Sequence, residues 1–214
     1  MHVRAVGTRG DSSLMQDTSI SSMPKKVELA QQILDKALEL AETGSWETLH
    51  LYEVAAALNI TLDQIREHYR QKDDLVETWF DRADTAMLND AASHEFAQLS
   101  SRERIHRAIM TWLQALAQHR RITGEMLRYK LEFGHVHLQM LGIMRVSRTV
   151  QWVREATRQE ATHLRRIVEE VVLTSIYLAT FTYWLRDDSP DSENTSRFLH
   201  GLLDQANAFS RRLR

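Results

Sequence analysis

From Val27 onward, apolar residues recur three and four positions apart: Val27, Ala30, Ile33, Leu34, Ala37, Leu38 and Ala41. That period predicts an amphipathic helix. Pro24 suits its first turn, and Gly44 follows as a C-cap. A second, short helix is predicted over Leu51–Leu58. Asn59 then tolerates the left-handed conformation a tight turn requires. Thr61 stands as N-cap of a third helix, Leu62–Tyr69. Two short helices joined by a tight turn and backed by a first helix make a helix-turn-helix. The later pattern also reads as helix, over Lys72–Gln98, Ser101–Gln118, Arg121–Phe133, His135–Arg158, Ala161–Arg186 and Asp191–Arg211. Asp188, Ser189 and Pro190, followed by Asp191 and Glu193, form a helix start with a cap, an early proline and acids against the dipole. The fold class expected is all-α.

The helix over Ala161–Arg186 carries two apolar stripes. Ile167, Val171, Leu178, Phe181 and Leu185 form one; Leu164, Val168, Val172, Ile176, Ala179 and Tyr183 form the other. A helix on a monomer surface needs only one, so the second predicts burial against another subunit. The final helix adds Phe198, Leu199, Leu202, Leu203, Ala206 and Phe209. Two such helices from each of two chains would form a four-helix homodimer interface. The residues expected there are Val168, Val172, Ile176, Tyr183, Phe198, Leu202 and Phe209.

Composition narrows the class. The 214 residues contain seven Gly and two Pro, too few for the many turns of a β-sandwich or barrel. With no cysteine, disulfides, thiolate metal sites and cysteine nucleophiles are excluded. The longest uncharged run, Val171 to Leu185, has fifteen residues, short of the ~20 of a membrane-spanning helix. Residues 1–23 are aperiodic, lack a secretory core and are expected to be a loose tail, with Met15 and Met23 as alternative starts. A cytoplasmic protein is expected. The net charge of −2 names no partner, but it is uneven: residues 24–75 hold six Lys and Arg against ten Asp and Glu, and residues 102–166 hold thirteen against five.

The stretch Ala37 to Leu75 resembles the DNA-binding domain of TetR-type repressors. The carrying residues are Gly44, Val54-Ala55, Ile60-Thr61, His68-Tyr69, Lys72 and Leu75. The resemblance implies an all-helical homodimer, with a helix-turn-helix domain at 24–75 and a ligand-binding and dimerisation domain at 76–214. It places Thr61, Leu62, Asp63, Gln64 and Arg66 toward the major groove of an operator in double-stranded DNA, with Tyr69 closing the helix. His68, Lys72 and Lys25 or Lys26 would touch phosphates. Gln64 suits adenine and Arg66 guanine. Asp63 stands where a small residue is common in the family. With Glu67 it puts negative charge on the reading helix, against the electrostatics of DNA binding.

The segment Arg165 to Ala208 is similar to the end of the ubiquinone-biosynthesis accessory proteins, lipid-binding proteins of the same fold. Arg165-Arg166, Tyr177, Asp187-Asp188-Ser189-Pro190-Asp191, Thr195 and Arg197-Phe198-Leu199 carry it. Both resemblances imply a cavity for a small-molecule or lipid ligand. Met110, Trp112, Met126, Tyr129, Phe133, Met140, Met144, Trp152, Phe181 and Trp184 supply adaptable apolar surface for one. Arg128, Arg145 or Arg148 would hold an acidic group.

Glu-x-x-His occurs at Glu47/His50, Glu132/His135 and Glu160/His163. No regular set of bridging acids accompanies these pairs, so no metal site is expected. His135 and His137 would point to opposite sides of a helix. Nucleophile-elbow, phosphate-loop and dinucleotide motifs are missing, and neither a cofactor nor an enzyme is expected. Two functions remain: a ligand-released DNA-binding repressor, or a lipid- or quinone-binding accessory protein that has lost DNA binding.

Overall fold

The computed structural model describes residues 22–131, 148–157 and 163–212, and every regular element among them is helical. Phe133, Met140, Met144, Arg145, the Glu132/His135 pair and Glu160 lie outside them, as do residues 1–21 of the expected tail, whose last two residues, Ser22 and Met23, open the first helix. The helices are α1 (Ser22–Thr43), α2 (Leu51–Leu58), α3 (Leu62–Arg66), α4 (Lys72–Ala91), α5 (His94–Gln98), α6 (Ser101–Ala115) and α7 (Arg120–Leu131). A helical stretch over 148–156 follows as α8, then α9 (His163–Trp184) and α10 (Glu193–Arg212).

The apolar stripe of α1 is buried as its spacing requires, from Ile33 to Ala41. Gly44 directly follows α1 without a left-handed φ, and its amide donates to the Ala41 carbonyl at 3.2 Å. The carbonyls at the end of α1 are also satisfied from a distance. The Arg121 guanidinium donates to the carbonyls of Ala41 (3.1 Å), Glu42 (2.8 Å) and Gly44 (3.3 Å). Asn59 does adopt the left-handed conformation, at φ 53 and ψ 43.

Several helix ends differ from the sequence reading. The third helix stops at Arg66 instead of Tyr69, because Tyr69 is pulled inward and its hydroxyl donates to the Ala30 carbonyl at 2.9 Å. The helix expected over 72–98 is two. Ser93 caps α5 by accepting from the Phe96 amide at 3.2 Å, and Phe96 then packs into the core. Before α10 the chain makes a 3-10 turn, Pro190–Ser192, with Asp191 and Ser192 at positive φ.

That turn is a built corner. Asp187 is buried, and its carboxylate accepts from the amides of Ser189 (3.0 Å) and Thr195 (2.8 Å) and from the Thr195 hydroxyl. Burial alone would raise its pKa, but these donors outweigh it and hold the group well below the usual carboxylate range. From α7, Arg120 donates to the Asp187 carbonyl and the Ser192 hydroxyl and lies over the Trp184 ring. The acid-rich motif thus sets the angle between α9 and α10.

Between these ends sits the core. Helix α4 lies along α6, and Phe80 stacks on Trp112 with centroids 5.8 Å apart. Phe181 of α9 meets Trp112 edge-on and stacks on Trp184. No described helix is long and apolar enough to cross a membrane.

Candidate functional site

Helices α2 and α3 meet across the Asn59 turn, and α3 leaves most of its length exposed. Of its five residues only Ile65 is buried. Leu62, Asp63, Gln64 and Arg66 face outward together, with the exposed Tyr52 on α2. The family resemblance assigned these residues to the reading face, and each of them is exposed.

Their hydrogen bonds divide them. Thr61 and Gln64 form a capping box: the Thr61 hydroxyl accepts from the Gln64 amide at 3.2 Å, and Gln64 Oε1 accepts from the Thr61 amide at 2.9 Å. Asp63 Oδ1 accepts from Arg66 Nε at 3.0 Å and Nη2 at 2.7 Å. That bond raises the guanidinium pKa, so Arg66 stays charged.

Three expected phosphate or groove residues stand differently. The Lys72 ammonium donates to the carbonyls of Glu47 (3.1 Å), Leu49 (2.8 Å) and Trp46 and lies against the rings of Trp46 and Tyr129. Burial lowers its pKa. Every proton of this ammonium has a carbonyl, so a phosphate would have to displace the protein's own backbone. Tyr69 is in the core and presents no face to a groove. His68 is half-buried. Lys25 and Lys26 lie on α1, with side chains outside the described set.

A second cluster ties this reading unit to the rest. Beyond the α1 carbonyls, Arg121 pairs with Glu42 (3.1 Å) and Glu125 (2.7 Å). Glu125 accepts from the Trp46 amide at 2.7 Å, and Trp79 Nε1 donates to Thr123 at 2.9 Å. Sequence reasoning missed this clasp, because Arg121 and Glu125 read locally as an ordinary i, i+4 pair. Arg121→Ala should cost about 1.5 kcal/mol, the low end for charged hydrogen bonds because the side chain is half exposed. Hydrogen exchange should quicken over the end of α1 while α6 and α9 stay protected.

Of the proposed cavity residues, Trp112, Phe181 and Trp184 pack against one another in the core, where Met126 is also buried. Trp152 is 42% exposed, and Tyr129 sits beside Lys72. Met110 lines a groove of about 380 Å³ between α6 and α10, with Leu99, Glu103, His106, Arg107, Thr111 and His200. Of the arginines proposed for an acidic ligand, Arg148 faces Glu77 and Asp81, each at 3.5 Å, and Arg128 is exposed.

One polar group in this region escaped sequence analysis. Asp84 is buried on α4 and accepts from Trp112 Nε1 at 2.7 Å and the Thr149 hydroxyl at 3.1 Å. Its signal is an acid among the apolar positions Phe80, Ala83 and Met87.

On α9 the two expected stripes are redistributed. Leu173, Ile176, Tyr177, Phe181 and Trp184 face the core. Val171 (60% exposed), Leu178 (40%) and Tyr183 (40%) remain outside. Ile176, expected at a subunit interface, is therefore an interior residue of its own chain. Tyr183 stacks on Phe198 of α10 at 4.5 Å, while Val172 and Leu202 are half-buried. The side chains of Val168 and Phe209 lie outside the described set. No cluster of three or more potential metal ligands occurs among the described residues.

Comparison with known proteins gives three findings. The sequence profile of the COQ9 family matches residues 165–210. A crystal structure of the TetR transcriptional regulator from Nitrosomonas europaea is similar at 48% identity and TM-score 0.76, covering 84% of this chain and 98% of that one. A bacterial regulatory protein in the tetR family from Rhodococcus RHA1 aligns at 16% identity and TM-score 0.46, over 82% and 95% of the two chains. No match was found among curated proteins.

Proposed function

The chain belongs to the TetR family of transcriptional regulators, and from that premise we propose that it is a homodimeric DNA-binding repressor released by a small apolar or amphipathic ligand. The observation that carries this is the exposed polar surface of α3, held by the Thr61–Gln64 cap and presented beside α2. Residues 24–75 form the reading unit in this proposal, and residues 76–214 bind ligand and dimerise.

The mechanism is allosteric. Two α3 helices in a dimer must meet half-sites about one DNA turn apart, so a small change in their separation costs affinity. Helix α4 starts at the reading unit with Lys72 and ends against α6. Helix α7 grips α1 through Arg121 and contributes Met126 to the core. A ligand that wedges the core apart moves both attachments. The outward Val171, Leu178 and Tyr183 supply apolar surface for the dimer contact.

Selection from a random DNA library with the purified dimer tests this. The expected result is a palindrome of two half-sites, with log affinity falling linearly in log salt at about −0.9 per neutralised phosphate. Recovery of no sequence by a folded dimer would overturn the reading.

The COQ9 match favours a second reading, a lipid- or quinone-binding accessory protein. It predicts lipid co-purifying in native mass spectrometry together with no selected operator.

A further inference from the structure

Asp63 holds Arg66 with a single oxygen. Oδ1 accepts from both Nε and Nη2, and the carboxylate's other oxygen has no hydrogen bond among the described residues. The guanidinium is thus gripped along its Nε–Nη2 edge. Its other edge, with both protons of Nη1 and the second proton of Nη2, is open. The pair stands out from the protein, with the two side chains 75% and 69% exposed. Gln64, by contrast, has its Oε1 engaged in the helix cap, so reading adenine with both ends of its amide would break that cap.

We propose that Asp63 and Arg66 are the specificity-determining unit of α3 and read two adjoining base pairs together. This rests on the DNA-binding reading above. The open edge of Arg66 donates to O6 and N7 of a guanine, the two acceptors that edge fits. Asp63 fixes the guanidinium plane before binding, so less side-chain freedom is lost when the contact forms. Its second oxygen accepts from the N4 amine of a cytosine at the adjoining pair. A carboxylate has no proton to offer, so guanine O6 or thymine O4 at that position meets repulsion. The acid that weakens the domain's general attraction to DNA therefore acts as a selector: it sacrifices affinity for every sequence and discriminates among them.

The test is parallel library selection with the full-length protein, its Asp63→Ala, Arg66→Ala and Gln64→Ala variants, at one salt concentration. All three side chains are exposed, so the fold should persist, and circular dichroism melting curves check that. The wild type should enrich a guanine beside a cytosine in each half-site. Arg66→Ala should lose the guanine preference, with binding to the wild-type site falling about 5- to 150-fold per half-site. Asp63→Ala should bind non-specific DNA more tightly than the wild type while losing the cytosine preference. Gln64→Ala should keep both preferences.

Two results would overturn the pair while leaving the regulator reading intact. One is a wild-type palindrome without the guanine–cytosine step. The other is an Asp63→Ala selection identical to that of the wild type. Loss of both preferences in Gln64→Ala would transfer the reading role to Gln64 and also overturn it. Failure of the folded wild type to select any sequence overturns both readings at once.

Discussion

Trp112→Ala should lower stability by about 3–5 kcal/mol, the range for removing a buried tryptophan. At roughly 2–4 °C per kcal/mol for a chain of this size, the melting temperature should fall by about 6–20 °C. Trp112 touches Phe80, Tyr177 and Phe181, so its loss removes the contact shared by α4, α6 and α9. Those neighbours come from two helices, α4 and α9, and cannot all close the space without moving a backbone. The indole also donates to the buried Asp84 Oδ1, which accepts from the Thr149 hydroxyl as well, and its removal takes that donor away. Trp112→Phe separates the terms. It keeps most of the ring and should cost about 1–3 kcal/mol for the lost hydrogen bond to the buried Asp84 side chain. A scanning melt followed by circular dichroism reads both. An unchanged melt in Trp112→Ala, with ligand response abolished, would show that the indole lines a cavity and does not brace the core.

The second large effect is at the α9–α10 corner. Asp187→Ala should destabilise the fold by about 3 kcal/mol, from a lost cap worth up to ~2 and a stranded buried donor worth ~1–3. Thr195, fully buried, loses the acceptor for both its amide and its hydroxyl. The pH dependence follows from the lowered pKa of Asp187. The folded state binds this proton less readily than the unfolded chain does. Its stabilisation is therefore complete above the unfolded carboxylate pKa of about 3.9 and is lost progressively as pH falls below it. Asp187→Asn should flatten the acid limb of the stability–pH curve in that window and change little in slope at neutral pH. Denaturant melts at a series of pH values compare the two. An unchanged acid limb in the variant would move the source of acid sensitivity elsewhere. Because α10 supplies Phe198 and Leu202 to the proposed dimer contact, Asp187→Ala should also weaken self-association, measurable by sedimentation at micromolar concentration.

Local patterns proved sufficient where a helix is decided by its own residues. The stripe from Ile33 to Ala41, the helix Leu51–Leu58, the Asn59 turn and the Thr61 cap depend on period, φ preference and a side chain three residues away. All are visible in a short window. The surface of α3 was legible for the same reason. Helix ends governed by remote partners were not. Tyr69 leaves α3 because the Ala30 carbonyl accepts its hydroxyl, and α1 is closed by Arg121 from α7.

By itself, the sequence determined that this protein is all-helical, that it carries a helix-turn-helix near its start and an acid-rich corner near its end, and which polar residues crowd the exposed helix. These follow from periodicity and capping, whose range is one helical turn. Only the tertiary structure decided how those residues are used. It committed Lys72 to backbone carbonyls, turned Ile176 and Trp112 into core, and put Asp84 between Trp112 and Thr149. The physical reason is that a polar or aromatic side chain is assigned by whichever partner satisfies it. When that partner is tens of residues away, no local pattern can indicate which one it is.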